Sequence, residues 1–432
     1  GNSATPDTGD TFVYDITAPT ISDVVPSWDT YLNAAEDNAD GTIAITTSGA
    51  ADGQTVTVTG MGVTDTCALS SNTCTVTVAA ADLQALSDGT TYTITVNVDD
   101  VAGNSATPDT GDTFVYDITA SVTSVTLSDG DYVNAAEDNS DSTVTVATSG
   151  VEDGRTMSVT INSVAYSCTV GTNSCAATIP ASALQALTDG TTYTISVTGT
   201  DLAGNTASDS GTTFVYDITA SVTSVTLSDG DYVNAAEDNS DSTVTVATSG
   251  VEDGRTMSVT INSVAYSCTV GTNSCAATIP ASALQALTDG TTYTISVTGT
   301  DLAGNTASDS GTTFVYDITA PTISDVVPSW DTYLNAAEDN ADGTIAITTS
   351  GAADGQTVTV TGMGVTDTCA LSSNTCTVTV AAADLQALSD GTTYTITVNV
   401  DDVAGNSATP DTGDTFVYDI TAPTISDVVP SW

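Results

Sequence analysis

The sequence predicts an all-β protein: a tandem array of four seven-stranded β-sandwiches forming an extended rod, with partial units at both ends. Three observations predict it. The first is repetition. The segment Phe-Val-Tyr-Asp-Ile-Thr-Ala begins at Phe12, Phe114, Phe214, Phe314 and Phe416. Residues 114–213 are identical to 214–313, and residues 12–113 to 314–415, so two kinds of unit, A and B, run in the order A-B-B-A. A period of about 100 residues suits small domains with separate cores rather than one large one. The second is alternation. Thr55-Val-Thr-Val58 and Thr93-Ile-Thr-Val96 put apolar groups on one face and hydroxyls on the other. The third is composition: charged residues are 13% and aromatics 5% of the chain, and the abundance of Thr, Val and Ser favours strands.

The elements follow in order. In the first unit strand A is predicted at 20–25, B at 42–47, C at 54–59, D at 63–68, E at 73–79 and F at 91–98. Strand G is predicted at 113–117, with its counterpart at 11–15. Ser48-Gly49, Asp52-Gly53, Asp88-Gly89 and Gly103-Asn104 punctuate them as turns. A short helical stretch, 80–86, joins E to F. Seven short strands in about 100 residues is the arithmetic of an immunoglobulin-like sandwich. Leu86, Gly89 and Tyr92 have the spacing of a tyrosine corner, in which a tyrosine hydroxyl closes the E–F connection. The same spacing places corner tyrosines at Tyr193, Tyr293 and, in the fourth unit, at the pair Tyr394-Thr395. The predicted domains are 16–117 (A), 118–217 (B), 218–317 (B) and 318–419 (A). Residues 1–15 read as the last strand of a preceding unit and 420–432 as the first strand of a following one, a window on a longer chain.

Charge bounds the partners. Fifty-four acids face two arginines, Arg155 and Arg255, for a formal net charge of −52, with no lysine or histidine. Nucleic acid is excluded, since phosphate binding needs cations, and unassisted docking on anionic lipid is disfavoured. Acid blocks of this density repel one another unless divalent cations or high salt neutralise them. No stretch approaches the roughly 18 apolar residues of a membrane span, so direct membrane insertion is not expected.

The cysteines form four Cys-x6-Cys pairs: Cys67–Cys74, Cys168–Cys175, Cys268–Cys275 and Cys369–Cys376. One pair per unit with none left over reads as one disulfide per domain in an oxidising compartment. Two thiols without histidine offer too few ligands for zinc. Placed around the D–E turn, each bond is expected to staple a hairpin without linking the two sheets.

Asp201-Leu-Ala-Gly-Asn205, Asn33-Ala-Ala-Glu36, Asp52-Gly-Gln-Thr-Val-Thr-Val58 and Tyr14-Asp-Ile-Thr-Ala-Pro19 recur in register. Together they resemble the bacterial Ig-like repeats of giant secreted adhesins and biofilm-associated surface proteins, over the whole chain. The resemblance implies an extracellular, cell-surface extender with calcium at or near its domain junctions. Its partners would be neighbouring copies or the continuation of the same repeat chain. Surface glycans or host proteins would be met through parts outside this window. The paired cysteines and the near absence of lysine and arginine depart from that family's usual pattern.

Topology points to the same junctions. In such a sandwich the A–B and E–F loops lie at one end and the B–C and F–G loops at the other, so the acids of consecutive domains converge. Candidate calcium ligands are the linker residues Asp15, Asp117, Asp217, Asp317 and Asp419. The F–G turn adds Asp100, Asp201, Asp301 and Asp402. The A–B loop adds Glu36 and Asp37, Glu137 and Asp138, Glu237 and Asp238, and Glu338 and Asp339. The B–C loop adds Asp153 and Asp253, with Glu152 beside the former; Ala51 stands at that glutamate's position in A units. Calcium takes six to eight oxygens in irregular loops, whereas magnesium wants a stricter octahedron. The alternative is that these are solvated turn acids, which Asp-Gly sequences suit without a metal.

An enzyme is not expected: triads need a base that this chain lacks, and no glycine-rich phosphate loop appears. Trp28, Trp330 and Trp432 follow strand A in A units only, and read as junction packing or exposed sugar contacts. Three functions remain: the stalk of a surface adhesin, a subunit of a laterally packed extracellular filament or sheath, and a glycan-binding array.

Overall fold

The computed structural model describes residues 2–429 and Ser431. The chain divides into two compact units, one ending at Ile218 and the other beginning at Thr219. Each unit holds one A and one B sandwich.

In the first sandwich β1 (Thr20–Pro26), β2 (Tyr31–Leu32), β3 (Gly41–Ser48), β4 (Thr55–Thr59), β5 (Asp65–Ala68) and β6 (Thr73–Val78) precede the single helical turn α1 (Ala80–Leu83). Strands β7 (Thr90–Thr93), β8 (Thr95–Val98) and β9 (Thr113–Tyr116) complete it. One sheet has the order β1-β3-β6; opposite it lie β2-β9-β7 and β5-β4-β8. The B sandwich of the same unit runs β10 (Ser121–Leu127), β11 (Tyr132–Val133), β12 (Ser142–Ser149), β13 (Thr156–Ile161), β14 (Val164–Thr169) and β15 (Ser174–Ile179). After α2 (Ala181–Leu184) come β16 (Thr191–Thr200) and β17 (Thr206–Tyr216). Here the second sheet is continuous, β11-β17-β16-β13-β14, facing β10-β12-β15. The second unit repeats this, with a B sandwich from Ser221–Leu227 to Thr306–Tyr316 and an A sandwich from Thr322–Pro328 to Thr415–Tyr418.

Several strand expectations change. The end segments expected as strands, 11–15 and 420–432, form no strand among the described residues. The fourth strand, expected as D, pairs only with the third, Val56 opposite Cys67, and so lies in the same sheet as the second half of F, β8. The pair Tyr31–Leu32, unpredicted because two residues carry no alternation signal, runs parallel to the last strand. In A sandwiches the F strand is broken at Ile94, whereas β16 is unbroken. The A units carry one more residue between the F–G asparagine and the G-strand phenylalanine, including Pro108, and a proline cannot donate to the ladder.

Each sandwich has its own apolar core. In the first, Leu32, Ile43, Ile45, Val56, Val58, Val76, Val78, Leu83 and Val96 close on Phe114 and Tyr116, all essentially buried. These are the inward residues of the alternating strands. At roughly 25 cal/mol per Å² of apolar surface, a fully buried aliphatic or aromatic side chain stabilises by about 1.5–3 kcal/mol. Trp28 belongs to this core rather than to a junction or an exposed surface. It is 3% exposed and meets Phe114 edge to face at 5.3 Å; Trp330 does the same with Phe416, and Trp432 lies outside the described residues. Trp28 fits because residue 41 is glycine: a Cβ there would stand 2.3 Å from its ring. B units carry Asp129 and Ser142 at the two positions, joined by a hydrogen bond from the serine hydroxyl. A second exchange is apolar. A units pair Val56 with Val98, and B units pair Met157 with Gly199. A Cβ on Gly199 would stand 2.3 Å from the Met157 sulfur. A and B are thus two packings of one fold.

The corner tyrosines act as expected of the motif. Tyr92 Oη accepts the Ser87 N–H at 2.9 Å, as do Tyr193 from Thr188, Tyr293 from Thr288 and Tyr394 from Ser389. In the fourth unit the corner residue is therefore Tyr394, and Thr395 is its strand neighbour.

The disulfides bond the expected pairs, with Cα–Cα distances of 5.9, 5.5, 5.5 and 5.9 Å in chain order. Their placement corrects the hairpin expectation. Cys67 lies on β5, paired with β4, whereas Cys74 lies on β6, opposite Ile45 of β3. The bond therefore ties the edges of the two sheets together. The connection between them turns through Ser71 and Asn72, both with positive φ (55° and 69°), so the chain passes from one sheet to the other instead of folding back on itself. Closing so short a loop contributes about 2–3 kcal/mol on the chain-entropy view.

The paired substitutions make a prediction. Gly199→Val should overpack against Met157 and cost about 1–3 kcal/mol. Adding Met157→Val, which recreates the A-type pair, should restore most of it. Denaturant unfolding of the single and double variants measures the coupling; additive effects would contradict this packing account.

Candidate functional site

The acids concentrate where one sandwich ends and the next begins. In the first unit Asp117 follows β9, and its N–H donates to the Leu32 carbonyl at 3.0 Å, which holds the linker on the first sandwich. Asp88, from the turn before β7, grips the same linker: its Oδ1 accepts the Ile118 N–H at 2.9 Å and its Oδ2 the Thr119 hydroxyl at 2.7 Å. From the second sandwich come Asp201, in the F–G turn, and Glu152, in the loop before β13. Asp201 is fully buried. Its oxygens accept the N–H groups of Gly204 and Asn205 at 2.6 and 2.8 Å, and Asn205 Nδ2 at 2.7 Å. Gly204 has a φ of +96°, a conformation that costs glycine little and lets the turn wrap around the carboxylate. Glu152 Oε2 accepts the Leu202 N–H at 2.8 Å. A cleft of about 340 Å³ opens among Asp88, Asp117, Glu152 and Asn173.

These charges are not balanced by cations. Burial pushes Asp117 up to about 6, and the charge of Asp201, then those of Glu152 and Asp88, add to the rise. Asp317, at the equivalent position in the second unit, is raised by burial and then by Asp402 and Asp289. Ala353 stands there in place of the glutamate. Among the described residues no three or more acidic side chains stand close enough, as arranged, to hold a metal ion.

The other candidate ligands have local work. Glu36 and Asn33 form a reciprocal cap: Glu36 Oε2 accepts the Asn33 N–H at 3.1 Å, while Asn33 Oδ1 accepts the N–H groups of Ala35 and Glu36. Glu137, Glu237 and Glu338 accept the Asn134, Asn234 and Asn335 N–H groups in the same way. The Asn-x-x-Glu spacing is that of a capping box, legible in the sequence. Asp37 turns inward and accepts the Tyr116 hydroxyl at 2.7 Å. Asp138, Asp238 and Asp339 take Tyr216, Tyr316 and Tyr418 at 2.8, 2.9 and 2.7 Å. Burial and then the bond to Asp138 push the Tyr216 hydroxyl up to about 12. Asp153 and Asp253 accept the Thr172 and Thr272 N–H groups at 2.7 and 2.6 Å, bracing the turn between the disulfide-linked strands. Asp100 accepts both the backbone and side-chain N–H groups of Asn104 at 2.8 Å, and the side-chain bond leads in lowering its pKa. Asp301 and Asp402 hold their turns likewise through Asn305 and Asn406. Asp15, Asp317 and Asp419 accept the N–H two residues on. The Asp217 N–H donates to the Val133 carbonyl at 3.0 Å. Asp88 and its counterparts Asp289 and Asp390 are linker holders: Thr319 and Thr421 donate their hydroxyls to the latter two, the largest cause of their lowered pKa.

The sequence model of the bacterial Ig-like domain (group 3) family matches residues 79–227. That span contains a complete B repeat, whose sequence recurs unchanged at 214–313. Over that span the chain is similar to a bacterial Ig-like domain. Several solved structures resemble the chain. One, described as a Ca2+-stabilized adhesin with which an Antarctic bacterium binds ice, is 29% identical. The match covers 94% of this chain and 99% of that one, with a TM-score of 0.33. Another, from a 1.5-MDa bacterial ice-binding adhesin, is 27% identical over 69% of this chain and 98% of that one, with a TM-score of 0.34. A tetra-tandem repeat from the extending region of a large adhesion protein is 20% identical over 94% and 100%, with a TM-score of 0.31. No curated protein matches the chain.

Asp117 makes a pH prediction. Its folded pKa, about 6, lies above the ordinary 3.8. Its protonated form therefore favours the fold below about pH 4, and that contribution is lost as pH rises through 6. In chelator, Asp117→Asn should melt progressively higher than the native chain as pH is taken from 4 to 7.5. An unchanged difference across that range would show that Asp117 carries no such strain.

Proposed function

We propose that the chain is part of the extending stalk of a large bacterial surface adhesin, an extracellular rod of Ig-like sandwiches stiffened by calcium at its junctions and by one disulfide per sandwich. The observation that carries this is the convergence of Asp88, Asp117, Glu152 and Asp201 from two consecutive sandwiches and the linker between them, with Asp117 raised by burial and its like-charged neighbours. A divalent cation there would relieve that repulsion and tie both sandwiches to one ion.

The donor set fits calcium. All four groups are hard oxygen ligands on loops, and no histidine or cysteine thiolate competes for a softer metal. Each carboxylate already accepts N–H or O–H groups, or lies beside one that does, yet keeps free lone pairs. Small side-chain movements would bring the oxygens together, and calcium tolerates such irregular loops. Asp317, Asp402 and Asp289 supply a poorer set in the second unit, so its junction should bind more weakly. The candidates occupied elsewhere, Asp37 with Tyr116 and Asp153 with Thr172, are assigned to the fold.

One disulfide per sandwich suits an oxidising compartment and supports reading the chain as extracellular. No helix among the described residues is long and apolar enough to cross a membrane. Every sandwich is built around its own packed core, so the chain is read as a structural spacer and not as an enzyme.

Millimolar calcium should raise the melting temperature of the full chain by several degrees or more over its value in chelator, and make the particle stiffer in small-angle scattering. Magnesium at the same concentration should do much less. No response to either ion would overturn the calcium reading and leave the acids as a solvated surface.

A further inference from the structure

The junction within each unit is also joined by neutral hydrogen bonds, and these are the same in both units. In the first, Asn33 Nδ2 donates to the Ala203 carbonyl at 2.9 Å, and the Ala34 N–H donates to Asn205 Oδ1 at 3.0 Å. In the second, Asn234 donates to Ala404 at 2.9 Å, and Ala235 to Asn406 at 2.9 Å. The same F–G asparagine also reaches the linker: Asn205 Nδ2 donates to the Asp117 carbonyl and Asn406 Nδ2 to the Asp317 carbonyl, both at 2.8 Å. One amide side chain thus accepts from the preceding sandwich and donates to the linker and to its own turn.

The two junctions differ in repeat order and in sequence. The first joins an A sandwich to a B, the second a B to an A. The linker before the A sandwich is one residue longer, with Pro321 inserted after Ala320. Only the first has the glutamate. The groups of the clasp, by contrast, belong to both repeat types: Asn-Ala at the start of one loop and Ala-Gly-Asn in the other. A linker between domains ordinarily permits relative motion. These bonds oppose it without using a charged side chain across the interface, so removing cations does not remove them.

We infer that this pair of asparagines is a metal-independent connector, a docking surface whose partner is the adjoining repeat of the same chain and which accepts either repeat type on either side. An A-to-B joint and a B-to-A joint then need no junction-specific contacts, and repeats can be exchanged without redesigning the joint. Calcium acts on a joint whose geometry is already set. The inference rests on the junction as a structural joint but not on its binding calcium.

The test is small-angle scattering of the full chain in chelator and in millimolar calcium, native and with Asn33→Asp and Asn234→Asp together. The aspartate keeps the oxygen that caps Ala35 and Glu36 but cannot donate to the carbonyl across the joint. Asn33→Ala with Asn234→Ala adds no charge and separates loss of the bond from repulsion. In chelator both variants should need a broader ensemble than the native chain, with the circular dichroism of the sandwiches unchanged. Variant curves that superimpose on the native curve would overturn the inference. So would a native chain that is loose in chelator and stiff only in calcium, an outcome that leaves the calcium proposal standing. A native chain equally stiff with and without calcium would support the clasp and remove the need for the ion.

Discussion

The structure depends on how a chain with 54 acids and two arginines disposes of its negative charge. Lysine and arginine are the usual counter-charges, and here they are nearly absent. Backbone N–H groups take their place. Asp201 is buried under two backbone amides and one asparagine amide. Asp153 takes the Thr172 N–H, Glu36 the Asn33 N–H and Asp88 the Ile118 N–H. Each such bond is charge-assisted and stronger than a neutral one, and each lies in a loop. The strands carry mostly hydroxyl and apolar side chains, with few acids, such as Asp65, which burial raises. Asp117 is where this solution is incomplete. It sits between two sandwiches, close to other acids, and its raised pKa records the imbalance.

The joint between sandwiches therefore combines two interactions of different kinds. The neutral asparagine clasp sets geometry and is shared by A and B repeats. The carboxylates add a charge term that differs between junctions, since Glu152 has an alanine counterpart in A units. Inside each sandwich the same division holds. The fold is common, while compensating pairs such as Trp28 with Gly41 and Met157 with Gly199 distinguish the two types. Neighbouring repeats that differ in core packing are also less prone to exchange strands with one another.

Much of this was legible in the sequence because it is local. The period, the alternating strands, the corner tyrosines and the cysteine pairs each declare themselves within a few residues. The capping box Asn33-x-x-Glu36 is equally local, with the same two residue types that a metal site would use. What was not legible depends on distant partners. Asp37 and Tyr116 are 79 residues apart, so the aspartate could not be told from a surface ligand. The fourth strand's allegiance to the third rather than the fifth rests on sheet register, and with it the role of the disulfide as a tie between sheets. Trp28 reads as a surface aromatic until Gly41 is seen to make room for it. At the junction, turn residues indicated which acids converge, but the amide groups that hold Asp201 and Glu152 appear only in the folded chain.

The central claim is that the acids at the repeat junctions bind calcium because the fold leaves them uncompensated. The most direct measurement is the number of calcium ions bound by the full chain at equilibrium, by calorimetry or dialysis, for the native protein and for Asp117→Asn combined with Asp317→Asn. The account predicts saturable binding by the native chain, tighter at the Asp117 junction, and the loss of about two ions in the double variant. Binding that is absent, or that is undiminished by the two substitutions, would contradict it.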